Sequence, residues 1–166
     1  MSFFKNIFKG NKEEVNKEQI AALTNGELVS ITEVPDEVFS TKMMGDGFAM
    51  KTSDGIIVSP VAGKIGSVFP TKHAITINSV DGREVLIHLG VDTVKLKGEG
   101  FESFVEENQD VKVGDKLVKM DVEFIEKNAK SSMPIVIFTN LDGSESVKIV
   151  EGSATAGELN KIEITK

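Results

Sequence analysis

The chain has two histidines among its 166 residues, His73 and His88, and no cysteine. Neutral imidazole is a competent nucleophile and a tolerable leaving group near neutral pH, so these two are the first candidates for proton or phosphoryl chemistry. His88 stands in Glu84-Val85-Leu86-Ile87-His88-Leu89-Gly90. Along a strand, Leu86 and His88 point one way and Val85, Ile87 and Leu89 the other, which sets a titratable group into an apolar strand. His73 follows Thr71-Lys72 and leads into Ala74-Ile75-Thr76-Ile77. The turn signal Asp81-Gly82 lies between the two segments. A symmetric hairpin centred between residues 80 and 81 places His73 opposite His88, with Cβ atoms about 4.5–5.5 Å apart. A single histidine in an apolar strand is usually a core or rim residue satisfied by a carbonyl. A cross-strand pair weighs against that reading. Two imidazoles are too few for a structural zinc site, so further ligands would have to come from Asp, Glu or a partner.

The elements that must position this pair are short. From about Ile20 onward the apolar pattern has period two, and Gly, Asp, Asn and Pro interrupt it every eight to twelve residues. The predicted strands are 26–31, 47–51, 55–58, 63–68, 74–78, 84–88, 116–120, 135–138, 147–149 and 161–164. Two stretches are predicted helical: 101–107, and 122–129 with Asp121 as its cap. Many short strands with turn signals between them predict an all-β fold, an antiparallel sandwich or distorted barrel with one or two short helices.

Net charge is −7 and the sequence pI about 4.9, with no basic patch in the body of the chain, which argues against a nucleic-acid partner and for a basic protein partner. No run approaches the roughly 20 apolar residues that span a bilayer. The absence of cysteine fits a reducing cytoplasm. Residues 1–19 stand apart as a tail and linker before a domain at 20–166. Wound as a helix, Phe3, Phe4, Ile7 and Phe8 share one face, opposite Lys5, Lys9 and Lys12. Two readings stay open for residues 2–10: weak contact with an anionic membrane at its inner face, or a tail that is disordered or docked on the protein.

Several segments are similar to the glucose-type IIA proteins of the bacterial phosphoenolpyruvate:sugar phosphotransferase system, from about residue 20 to 164. They are Val34-Pro35-Asp36-Glu37-Val38-Phe39, Gly45-Asp46-Gly47, Ser59-Pro60-Val61-Ala62-Gly63, Thr71-Lys72-His73-Ala74 and Val111-Lys112-Val113-Gly114-Asp115. The most specific is the run Val85-Leu86-Ile87-His88-Leu89-Gly90-Val91-Asp92-Thr93-Val94, continued by Leu96-Lys97-Gly98-Glu99-Gly100-Phe101.

The resemblance implies a phosphocarrier. His88 would take the phosphoryl group on Nε2, and His73 would donate to the phosphoryl oxygens, with Thr71 beside it. The phosphoryl donor would be the carrier protein HPr and the acceptor the IIB domain of a sugar permease. For Nε2 to attack, the proton must sit on Nδ1, which calls for an acceptor such as the carbonyl of Gly90. A phosphohistidine must also be shielded from water. Phe39, Met43, Met44, Phe69, Leu86 and Val94 are expected to form an apolar partner-binding rim, with Asp36 and Asp92 meeting basic side chains of the donor. No cofactor is expected, and zinc only at a partner interface, on His73 and His88 with a partner carboxylate. Regulatory contacts with glycerol kinase or sugar permeases are also expected. Two rival readings fit less well. Ala49-Met50-Lys51 resembles a biotin-attachment segment, but the chain is too long for that module. A zinc peptidase would need a third histidine.

Overall fold

Residues 19–166 are described in a computed structural model of the chain. The readings made for residues 2–10 and for the linker up to residue 18 lie outside them. Alternation decides the architecture. In β6 (Glu84–Val91), Val85, Ile87 and Leu89 face one side and Leu86 and His88 the other. In its neighbour β10 (Ser131–Phe138), Val136 and Phe138 take the first side and Ile135 and Ile137 the second. Both faces of the central strands are therefore apolar, and both must be covered.

The eight-stranded antiparallel sheet that contains them runs β12-β1-β2-β10-β6-β5-β4-β8. Its other members are β12 (Gly152–Ala154), β1 (Gly26–Ser30), β2 (Asp46–Thr52), β5 (Ala74–Ser79), β4 (Gly63–Val68) and β8 (Asp110–Val111). One face packs against a three-stranded sheet, β3 (Ile56–Val58), β9 (Lys116–Met120) and β7 (Phe101–Ser103). The main core forms there from Phe48, Met50, Ile75, Ile77, Ile87, Leu89 and Phe138 on one sheet and Ile57, Val118, Met120 and Phe101 on the other. A ribbon of β11 (Ser146–Ile149) and β13 (Ile162–Thr165) completes the sandwich.

The opposite face carries a smaller core of Val29, Ala49, Ala74, Leu86, Val91, Ile135 and Ile137. Ile31, Val34 and Phe39 close over it from a 3-10 turn (Ile31–Glu33) and the four-residue helix α1 (Glu37–Ser40). Asp36 caps α1 by accepting from the Val38 N–H at 2.8 Å. The second helix, α2 (Val122–Asn128), is capped by Asp121, which accepts from the Phe124 N–H.

Two sequence expectations are corrected. Residues 101–107 are not helical: Phe101–Ser103 is β7, paired with β9 from Phe101↔Met120 to Ser103↔Val118. A sheet partner for Phe101, and burial of Phe101 and Val105 in the main core, override the local helical pattern. The β5–β6 hairpin is not symmetric about a two-residue turn. Its loop has three residues, Val80, Asp81 and Gly82, with the Gly82 N–H donating to Ser79 O and Gly82 at φ +91°. That is the turn-plus-bulge hairpin that an Asp-Gly pair also permits. The register moves by one, so His88 pairs with Ala74, not with residue 73.

Candidate functional site

Both imidazoles nevertheless meet. His73 stands one residue before β5, where it is released from strict strand alternation, and its ring centroid lies 5.2 Å from that of His88, nearly perpendicular to it. Two backbone features hold it there. Lys72 adopts a left-handed φ of 59°, which turns the chain just before the histidine. The Leu89 N–H then donates to the His73 carbonyl at 2.7 Å and ties the residue to β6.

His88 is mounted on a central strand of the eight-stranded sheet. It lies between Ala74 of β5 and Ile135 of β10, one pleat from buried Leu86. Its Nδ1 is 2.7 Å from the Gly90 carbonyl oxygen. A carbonyl can only accept, so Nδ1 carries the hydrogen and, in the neutral ring, Nε2 is left with its lone pair. Gly90 itself is dictated by space and backbone. Its φ is +90°, and a Cβ there would lie 2.5 Å from Ser131 O and 2.7 Å from Thr93 Cγ2. Facing it, β10 shifts register between Ser131 and Pro134, the kind of place where a sheet tolerates proline.

Thr71 does its work on the other imidazole: Oγ1 is 2.5 Å from His73 Nδ1. When the hydroxyl donates, His73 keeps its hydrogen on Nε2 and becomes a donor there. Aromatic rings flank both histidines. Phe39 lies 4.9 Å from His88, tilted, and Phe69 meets His73 edge-on at 5.5 Å.

The electrostatics keep both rings neutral. Burial lowers the His73 pKa below the usual 6.5. Burial also lowers that of His88, and nearby His73 adds to the effect. The Gly90 hydrogen bond and the Asp36 carboxylate oppose it, with a net lowering. Nε2 of His88 is thus available as a nucleophile at pH 7.

The residues expected around the pair divide in two. Phe39 and Leu86 are buried and shape the floor. Met43, Met44, Phe69 and Val94 are exposed, Met43 at 75%. Val38 of α1, at 41% exposure, joins the exposed apolar residues on this helix and its following turn, and sequence reasoning missed it. Its neighbour Asp36 was the signal, since a residue two after a helix cap on so short a helix has little core to face. Asp92 has φ +65° and pairs with Lys95 at 2.9 Å, half-exposed. Among the described residues, no group of three or more His, Asp and Glu gathers that could hold a metal ion. No helix among them is long and apolar enough to cross a membrane. A hollow of about 930 Å³ lies elsewhere, between Arg83, the β11–β13 ribbon and Ile20. Phe39 and Phe69 lie against the histidines, and the exposed Val38, Met43 and Met44 stand on the same helix as Phe39 and the turn after it, apolar surface of the kind that receives a protein.

Residues 18–143 match the family model described as phosphoenolpyruvate-dependent sugar phosphotransferase system, EIIA 1. The chain is 46% identical over 164 residues to a glucose-specific EIIA component of the phosphotransferase system from Staphylococcus epidermidis, covering 98% of each chain. It is 47% identical over 163 residues to the glucose-specific EIIA component of Bacillus anthracis, again covering 98% of each. Among solved structures, it is similar to the glucose permease IIA from Mycoplasma capricolum, with a TM-score of 0.81 at 38% identity, over 98% of this chain and 99% of that one.

Proposed function

The chain belongs to the EIIA 1 family of the phosphoenolpyruvate-dependent sugar phosphotransferase system, and on that premise we propose that it is a cytoplasmic phosphocarrier that accepts a phosphoryl group from phospho-HPr on His88 and hands it to the IIB domain of a glucose-class permease. The observation that carries this reading is the Nδ1–H bond from His88 to the Gly90 carbonyl, which leaves Nε2 unprotonated beside a second imidazole.

The Nε2 lone pair of His88 attacks phosphorus in line. A new N–P bond forms while the N–P bond to the donor's imidazole breaks, and the bond electrons leave with the donor nitrogen. The transition state is loose, with charge on three equatorial oxygens. His73, held by Thr71, donates its Nε2–H to one of them, a hydrogen bond to a charged group worth about 1.5–3 kcal/mol. Transfer to IIB runs the same displacement outward. Phe39, Phe69 and Leu86 limit water around the phosphohistidine, and among the described residues the ring nitrogens meet Thr71 and the Gly90 carbonyl, with no carboxylate hydrogen-bonded to either ring as a hydrolytic base. The exposed Met43, Met44 and Val94 seat the partner, and Asp36 and Asp92 supply charge that a basic donor surface would match. The unphosphorylated rim also offers a regulatory contact surface, to glycerol kinase or to sugar permeases.

The deciding experiment is intact mass and peptide mapping after incubation with phosphoenolpyruvate, enzyme I and HPr. One acid-labile phosphoryl group on His88 is expected, and none on the His88→Ala variant. A folded wild-type chain that takes up no phosphoryl group would refute the reading.

A further inference from the structure

The sequence contains no Cys, Trp or Tyr, so sulfur oxidation in this protein can fall only on methionine. Thioether oxidation needs no deprotonated form, so its rate follows access. The described methionines differ sharply in access. Met50 is fully buried and Met120 is 2% exposed, both in the main core, and Met133 is half-buried against the smaller core. Met43 is 75% exposed and its neighbour Met44 is 41% exposed. These two occupy the turn that follows α1, the helix whose Phe39 ring lies on His88.

We propose that Met43 and Met44 form an oxidation-sensitive modification site, at which hydroperoxides reversibly weaken partner docking. The inference rests on the phosphocarrier reading above. A sulfur lone pair attacks the peroxide oxygen that bears the hydrogen, an S–O bond forms as the O–O bond breaks, and the other oxygen takes up that proton and leaves as water from hydrogen peroxide or as an alcohol from an organic hydroperoxide. The thioether is oxidised by two electrons and the peroxide reduced by two. The product is a polar, chiral sulfoxide in place of a soft apolar side chain. In an apolar rim that a partner must cover, the S=O oxygen is desolvated without an assured donor, which opposes docking. The histidines, floor and backbone are untouched, so the carrier stays folded with its nucleophile intact. Methionine sulfoxide reductases, one for each epimer, return the surface to its starting state.

The test uses the full chain with graded hydrogen peroxide. Peptide mass mapping locates the added oxygen, and kcat/KM for phosphoryl acceptance from phospho-HPr is measured on the same samples. Met43 is expected to oxidise first, then Met44, ahead of Met133, Met50 and Met120. Acceptance should fall about tenfold in step with oxidation of the first two. Treatment with both reductases should restore it, and melting followed by far-ultraviolet circular dichroism should not change. The decisive quantity is the ratio of oxidised to unoxidised rate within one protein, which should approach one in a Met43→Leu, Met44→Leu double variant. Full acceptance with both methionines oxidised would overturn the inference, as would an equal proportional loss in the double variant. In both cases the phosphocarrier reading would stand. An untreated chain that accepts no phosphoryl group would overturn that reading and this inference with it.

Discussion

Replacing Thr71 by valine isolates one atom of the site. The two side chains have nearly the same shape, and Thr71 is only half-buried, so packing is preserved. What is lost is the hydroxyl 2.5 Å from His73 Nδ1. With the hydroxyl as donor, the hydrogen stays on His73 Nε2, which on the proposed reading donates to a phosphoryl oxygen. Losing one such hydrogen bond removes about 1 kcal/mol of preference, which corresponds to roughly a fivefold slower transfer. Removing the donor itself, in His73→Gln, forfeits the charge-assisted bond, about 1.5–3 kcal/mol, or roughly 10- to 150-fold. Thr71 therefore acts through His73, and the two effects must not add. Rapid-quench transfer from phosphorylated protein to IIB should show Thr71→Val about fivefold slow in the wild-type background and without further effect in His73→Gln. Folding stability should change by less than about 1 kcal/mol, and 15N spectra of His73 should show a mixed tautomer. If Thr71→Val costs the same factor in both backgrounds, the hydroxyl reaches the phosphoryl group directly and the positioning argument fails.

Both histidines have pKa values below 6.5 in the folded state, so the unfolded chain binds more protons as the pH falls. Their contribution to stability is complete above about pH 6.5 and is lost as the pH falls through the lowered folded values. Proton NMR titration of the two rings checks this, and a His88 titrating above 6.5 would contradict it. Gly90→Ala should destabilise the fold by about 2–4 kcal/mol, combining a strained backbone with overpacking against Ser131 and Thr93. Chemical denaturation giving a change under about 0.5 kcal/mol would show that the backbone relaxes there without cost. Asp36→Asn retains the α1 cap but removes the charge. It should lower the His88 pKa further, since Asp36 raises it, and should slow acceptance from HPr at low salt but hardly at high salt. A salt-independent loss would point to packing.

Most of the sheet was legible because both faces of each strand leave a mark. Strands 63–68 and 116–120 were read with their observed bounds, because turn residues close each of them. The short elements were not legible. Helix α1 has four residues, too few for a periodic signal, and β8 and β12 have two and three. Residues 101–107 show the other kind of failure, in which a distant partner, Met120, decides the conformation. At the site, the meeting of the two imidazoles could be derived from the hairpin alone, but for an imperfect reason. The register was off by one, and His73 reaches His88 because it precedes the strand instead of obeying it. The contact of Phe39 with His88 joins residues 49 positions apart, and only the family resemblance pointed to it.

The three-residue loop between β5 and β6 gives the reactive group a parity. His88 lies on the outer face because β6 pairs with β5 in one register and because it stands two positions from Leu86 on that face. A slip by a single residue would turn Ile87 and Leu89 outward and drive His88 into the main core, while a slip of two would restore its exposure. Insertions and deletions near this hairpin are therefore filtered by whether they are odd or even before chemistry is tested at all. The bulge at Gly82, some distance along the strand from His88, is part of what fixes that register.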